Sequence, residues 1–115
     1  MNREKLYSVK EVCDRYGITR KTLFYYDRSG LLKPTMRQGS QQFKYYDDDA
    51  LSRLETILKY RNAGLSIEEI RAVIDLKNKK EILNILLNVR KRLNNEAKKK
   101  QEEIRKLDEL IRTNS

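Results

Sequence analysis

Two short helical patterns separated by only three residues constrain the fold of this chain more than any other feature. Ser8 and Glu11 form a capping box, and the apolar spacing that follows predicts a helix over residues 9–16. Gly17 ends that helix and Thr19 caps the next one. Two short helices joined by a three-residue turn that contains glycine are typical of a helix-turn-helix. Similar helix pairs occur in proteins that do not bind DNA, so the geometry alone leaves the function open.

The segment 33–46 lacks helical periodicity and predicts a β-hairpin. Pro34 breaks the backbone pattern, Gly39 and Ser40 indicate a turn, and strand-forming aromatic residues follow in Phe43–Tyr46. We interpret this segment as a wing between the second and third helices. Tyr26 and Tyr46 are expected to lie in the core, with their hydroxyl groups hydrogen-bonded at its rim.

Two further helices follow the wing. The aspartates 47–49 favour a helix start, because the positive end of the helix dipole stabilises negative charge; a cation site is the alternative interpretation. The apolar spacing predicts the third helix over residues 48–63, ended by Gly64. Ser66 and Glu69 then form a second capping box, which opens a fourth helix.

The last part of the chain, residues 81–112, contains no proline or glycine and predicts one long helix. Apolar residues repeat at seven-residue intervals, with polar interruptions at Arg90 and Lys100, as in a coiled coil. A helix this long extends beyond a domain of this size and cannot bury its own apolar stripe, so we expect a homodimer. A helix folded back on its own domain is the alternative. The candidate dimerisation residues are Leu86, Leu93, Ala97, Ile104, Leu107 and Ile111.

Positive charge is concentrated around the two short helices. The 115 residues carry a formal net charge of +9, which indicates an acidic partner such as nucleic acid or an anionic membrane. Residues 15–46 contain seven basic residues against the single acid Asp27. This local excess is better evidence for DNA binding than the total charge. A merely basic soluble protein is the alternative.

Several classes of function lack their usual residues in this sequence. No apolar run approaches the length of a membrane span, and no signal peptide is apparent, so we expect a cytoplasmic protein. The chain has no histidine and a single cysteine, Cys13, which excludes an ordinary zinc site within one chain. No pairing of nucleophile and base is apparent, so we expect no enzyme activity and no cofactor.

The basic and hydroxyl-bearing residues near the second helix are the candidate DNA contacts. Arg20 and Lys21 lie in the first helical turn, which reaches base edges in a helix-turn-helix. Thr19 and Tyr25 can donate hydroxyl groups to phosphates. For each basic residue taken singly, a solvated surface charge is an equally good interpretation. The full set of candidate DNA-binding residues is Ser8, Thr19, Arg20, Lys21, Tyr25, Arg28, Arg37, Lys44 and Tyr45.

Taken together, these motifs resemble the MerR family of bacterial transcription regulators. The segments that carry the resemblance are Tyr7-Ser8-Val9, Glu11-Val12, Gly17-Ile18-Thr19, Thr22-Leu23-Phe24-Tyr25-Tyr26-Asp27, Gly30-Leu31-Leu32-Lys33-Pro34, Phe43-Lys44-Tyr45-Tyr46 and Gly64-Leu65-Ser66-Ile67-Glu68-Glu69-Ile70. The resemblance implies a winged helix-turn-helix and an antiparallel coiled-coil dimer. It also implies that the dimer bends and untwists double-stranded promoter DNA and so realigns the promoter for RNA polymerase.

The sequence departs from the family pattern at three places. Phe24 stands where the family commonly has arginine, and Gln42-Phe43-Lys44 stands where it commonly has Gly-Tyr-Arg. Lys44 would then act as a point charge without the arginine fork. Almost nothing follows the long helix, so we expect either a shortened chain or a protein that senses nothing through a C-terminal domain.

The sequence as a whole predicts a mainly α fold: a winged helix-turn-helix DNA-binding domain at 1–76 and a coiled-coil dimerisation helix at 77–115. The predicted function is that of a homodimeric, sequence-specific transcription regulator without enzyme activity. The alternative is a coiled-coil interaction or architectural module that binds DNA non-specifically.

Overall fold

The structure, a computed structural model, describes residues 5–115, which form a mainly helical fold with a small sheet. The elements in chain order are β1 (Tyr7–Ser8), α1 (Val9–Tyr16), α2 (Arg20–Arg28), β2 (Met36–Gln38), β3 (Phe43–Tyr46), α3 (Asp48–Asn62), α4 (Ile67–Val73) and α5 (Lys79–Thr113). The chain divides into two compact units, one ending at Tyr60 and the other beginning at Arg61. The sequence-based division into a DNA-binding domain at 1–76 and a dimerisation helix at 77–115 is a division by function, and it stays a prediction.

The helix-turn-helix forms as the capping residues predict. The Ser8 hydroxyl oxygen accepts the backbone N–H of Glu11 at 3.2 Å, and the Ser8 N–H donates to the Glu11 carboxylate at 3.1 Å. Gly17 takes the left-handed conformation that ends α1. Thr19 caps α2 by accepting the N–H of Thr22 at 3.1 Å. The turn between α1 and α2 is therefore three residues long.

The predicted wing is the antiparallel hairpin of β2 and β3. Arg37 lies opposite Lys44 in this pair, and β3 also pairs with the short strand β1, in which Tyr7 lies opposite Tyr46. The strand order is β1-β3-β2. Because β1 runs directly into α1, this pairing fixes the base of the wing beside the start of the helix-turn-helix.

The core of the first unit is apolar and includes both tyrosines that the sequence placed there. Its buried side chains are Val9, Val12, Leu23, Tyr26, Leu31, Leu32, Tyr46, Leu51, Leu54 and Ile57. The expectation for the Tyr46 hydroxyl was wrong: it makes no hydrogen bond to the described residues, because the side chain is fully enclosed and does not reach the rim. Burial raises the pKa of Tyr46 to about 12.

In the second unit, one arginine joins the start of α4 to α5. Ser66 and Glu69 form the predicted capping box, with distances of 3.1 and 2.7 Å. The Arg92 guanidinium donates to the Glu69 carboxylate at 2.7 Å and to the carbonyl oxygen of Gly64 at 2.9 Å. Glu69 therefore serves both as a cap and as the partner of Arg92, a contact that the sequence pattern did not reveal.

Helix α5 has 35 residues and would be about 52 Å long at 1.5 Å per residue. Its predicted apolar stripe divides into a covered part and an open part. Leu86 and Leu93 are partly buried, and Val89, which lies outside the predicted stripe, is buried. Ala97 is exposed, and Ile104, Leu107 and Ile111 are each more than half exposed. The role of the six candidate residues in dimerisation stays a prediction.

We expect Gly64→Ala to destabilise the chain more than Gly30→Ala. Both glycines have positive φ, 94° and 76°, a conformation that costs an alanine about 1–2 kcal/mol. A Cβ at Gly64 would also lie 3.0 Å from Leu93 Cδ1, whereas nothing lies within 4 Å of a Cβ at Gly30. Urea unfolding at one fixed protein concentration measures both losses. An equal or smaller loss for Gly64→Ala would contradict the close packing of Leu93 on Gly64.

Candidate nucleic-acid interface

Helix α2 turns one face to the core and the other outward. Leu23, Tyr26 and Asp27 are buried on the inner face. At about 100° per residue, the outer side chains fall within an arc of about 140°. They are Arg20, Lys21, Phe24, Tyr25 and Arg28. All five are exposed except Phe24, which is partly buried.

The caps of α1 and α2 hold two of the predicted DNA contacts. The Thr19 hydroxyl accepts the N–H of Thr22 and donates to the Thr22 side-chain oxygen at 3.0 Å. The Ser8 hydroxyl accepts from Glu11, which leaves its hydrogen available to an outside acceptor. Ser8 can therefore donate to a phosphate without giving up an internal hydrogen bond, whereas Thr19 would lose its bond to Thr22.

Beneath this face, one buried carboxylate forms ion pairs with three basic side chains. The side chain of Asp27 is 6% exposed; its Oδ1 lies 2.8 Å from Arg37 Nη2 and 3.4 Å from Lys33 Nζ, and its Oδ2 lies 3.2 Å from Lys44 Nζ. We call these four residues the Asp27 cluster. The three cations come from the segment after α2 and from both strands of the wing, so the cluster fastens the wing to α2.

The cations hold Asp27 in its charged form. Burial by itself raises the pKa of the carboxyl group, but the hydrogen bonds from Arg37 and Lys44 outweigh it, so the pKa of Asp27 lies below its ordinary value. A buried carboxylate without such partners would be costly. Asp27 therefore needs these cations to remain charged in a buried position, and the three cations need Asp27 to lie close together.

The candidate cations fall into two groups. Arg20, Lys21 and Arg28 make no ion pair within residues 5–115 and lie on the exposed face of α2. Arg37 and Lys44, by contrast, are engaged by Asp27, and the Lys44 side chain is only 19% exposed. The first group is free to reach a ligand at once, whereas Lys44 mainly positions the wing. Binding by Arg37 and Lys44 stays a prediction.

Aromatic residues line the space between α2 and the wing. The Lys44 ammonium lies 3.8 Å from the centroid of the Phe24 ring, a cation–π contact. A groove of about 450 Å³ opens beside this ring. Its lining residues are Ser8, Val9, Lys10, Arg20, Phe24, Gln41, Gln42, Phe43, Lys44 and Tyr45. The groove thus brings together four of the predicted DNA-binding residues: Ser8, Arg20, Lys44 and Tyr45.

Two further aromatic residues reach the solvent near this face. Tyr25 is 45% exposed, with the Arg28 guanidinium 6.0 Å from its ring centroid. Phe43 is 58% exposed at the start of β3. Phe43 was not among the predicted DNA contacts, although its position in the predicted wing could have indicated it.

The sequence reasoning also missed the role of Asp27. Its signal was available, because it is the only acid among the seven bases of residues 15–46. The pairing itself depends on the fold, since Arg37 and Lys44 are ten and seventeen positions further along the chain.

Residues 5–115 contain no group of three or more histidine, cysteine, aspartate or glutamate side chains placed to hold a metal ion. The same part of the chain contains no helix with the length and apolar character needed to cross a membrane.

We expect Asp27→Asn to destabilise the chain by about 2–3 kcal/mol at pH 7, because it removes charge-assisted hydrogen bonds from a buried site. The matched control Asp14→Asn breaks the exposed pair with Lys10 and should cost about 0.5 kcal/mol or less. Urea unfolding measures both variants. Similar losses for the two would contradict the Asp27 cluster.

The stabilisation that Asp27 contributes should depend on pH. Because the pKa of Asp27 is lowered in the folded chain, its stabilisation is complete above the unfolded value of about 3.9 and is lost as the pH falls through the folded value. The difference in the free energy of unfolding between the wild-type chain and Asp27→Asn should therefore become smaller below about pH 4, as measured by urea unfolding at several pH values.

Comparison with known proteins places this geometry in a family. The family described as MerR HTH family regulatory protein matches residues 7–77. The transcriptional activator TipA of Streptomyces coelicolor is 42% identical over 69 residues, which cover 60% of this chain and 27% of TipA. The chain thus spans about a quarter of the length of that relative.

Two solved structures extend the likeness to most of the chain. MtaN, the N-terminal part of the Bacillus subtilis multidrug transporter activator, has a TM-score of 0.73 at 27% identity and covers 91% of this chain and 97% of its own. EcmrR, solved as a DNA complex, has a TM-score of 0.66 at 26% identity and covers 79% of this chain and 34% of its own. The capped helix-turn-helix, the wing and the long helix are all features of this fold. The chain belongs to the MerR family of helix-turn-helix regulatory proteins.

Proposed function

We propose that this chain is a transcription regulator that binds promoter DNA as a homodimer and distorts it. The observation that carries the proposal is the exposed face of α2, on which Arg20, Lys21 and Arg28 pair with no acidic side chain among residues 5–115. The wing, fastened by the Asp27 cluster, lies beside that face. A helix face of this kind suits the major groove of B-DNA, which admits one α-helix.

The residues of this face have different tasks in the proposal. Arg20 lies in the first turn and can bond guanine through two parallel hydrogen bonds. Lys21 and Arg28 neutralise phosphates, and Tyr25 donates its exposed hydroxyl to the backbone. Affinity would come mainly from the phosphate contacts, and sequence preference from the contacts to base edges.

The open part of α5 supports dimerisation. Ile104, Leu107 and Ile111 lie at i, i+3 and i+7 and are each more than half exposed, which is unfavourable for a stripe of large apolar side chains in water. A second copy of the helix would cover them. The antiparallel direction of the pair rests on the family resemblance.

Distortion of the promoter and contact with RNA polymerase also rest on the family. TipA is an activator, and EcmrR is known as an EcmrR–DNA complex in EcmrR-RPo. Such a regulator would bend and untwist its site, so that specificity would include DNA deformability as well as base contacts. A bacterial cytoplasm is the compartment that this activity requires.

We expect Lys21→Ala to weaken binding to every duplex and to reduce the slope of log K against log salt by about 0.9, the value for one lost phosphate contact. Arg20→Ala should cost about 1–3 kcal/mol on the preferred duplex and much less on random duplexes. Titrations at several salt concentrations measure both effects, using a duplex selected from a random library.

Lys106→Ala, which removes an exposed lysine from α5, is the control and should leave binding unchanged. Equal affinity of the wild-type chain for selected and random duplexes would contradict the proposal. That result would favour an architectural module that binds DNA non-specifically.

A further inference from the structure

Phe24 lies at the centre of the cationic face of α2. At about 100° per residue, it falls between Arg20 on one side and Lys21 and Arg28 on the other. It is the one side chain of this face that can neither neutralise a phosphate nor form a conventional hydrogen bond. Any contact that this ring makes with DNA would therefore be an apolar contact.

The ring of Phe24 is fixed from the wing side. The Lys44 ammonium lies 3.8 Å from the ring centroid while it also pairs with Asp27 Oδ2 at 3.2 Å. The ring remains partly exposed and lines the groove of about 450 Å³ together with Arg20 and Phe43. It is therefore held in place and open toward whatever occupies the groove.

Only one apolar group is present on the base-pair edges of the major groove, the 5-methyl group of thymine. We propose that Phe24 contacts thymine methyl groups and makes this chain prefer thymine at the position that faces the middle of α2. This inference rests on the proposed function and deepens it. Arginine, which is common at this position in the family, would favour phosphate or guanine there.

The test removes the methyl group without changing base pairing. A duplex selected from a random library with the full chain is prepared with each thymine replaced in turn by deoxyuridine. For the wild-type chain, one thymine in each half-site should be sensitive, with an affinity loss of about fourfold, the effect of one buried methyl group. Phe24→Ala and Phe24→Arg should bind the thymine and deoxyuridine duplexes equally well.

Tyr25→Phe is the matched control, because it alters the neighbouring residue of the same face. It should weaken binding to both duplexes alike and keep the fourfold difference between them. Phe24→Arg should also increase the salt dependence of binding. If Phe24→Ala does not fold, Phe24→Arg gives the same comparison.

Each outcome separates the inference from the function on which it rests. A selected duplex that binds tightly but shows no thymine sensitivity would overturn the inference and leave the regulator intact. The same holds if the sensitivity persists in Phe24→Ala or Phe24→Arg, which would assign it to another residue. A selection that enriches no sequence would overturn both.

Discussion

The ion pairing of the buried Asp27 carboxylate is the interaction on which the first unit depends. The carboxylate collects Lys33, Arg37 and Lys44, which would otherwise repel one another at the base of the wing. Because the wing is short and Tyr46 is the only described side chain of its strands that is buried in the core, the wing needs a further attachment to α2. The ion cluster supplies that attachment, and it makes α2 and the wing one continuous surface.

This arrangement divides the positive charge between two tasks. Lys44 positions the wing, through Asp27 and through the ring of Phe24. Arg20 and Lys21 lie on the outer face of α2, where in the proposed complex they would release counterions from DNA. Helix α5 shows a similar division: Val89 is buried within the chain, whereas Ile104 and the apolar residues beyond it are exposed. In both units, one set of residues stabilises the fold and leaves a neighbouring set available for a partner.

The sequence predicts the local structure well and the long-range contacts poorly. The Ser8 and Thr19 caps act over three residues, so α1 and α2 begin where the pattern indicates. The Asp27 cluster and the enclosed hydroxyl of Tyr46 depend on how distant segments pack, which periodicity does not encode. The heptad pattern likewise identified the stripe of α5 but could not show that Leu93 lies against Gly64 in the same chain.

Hydroxyl-radical footprinting on a selected duplex tests the central claim most directly. A homodimer that places two copies of α2 on DNA should protect two half-sites one helical turn, about 34–36 Å, or a whole multiple apart. Ile104→Glu should abolish the paired protection, whereas Asn95→Glu, which adds the same charge on the opposite face of α5, should preserve it. A single protected site for the wild-type chain, or uniform protection along the duplex, would contradict the account.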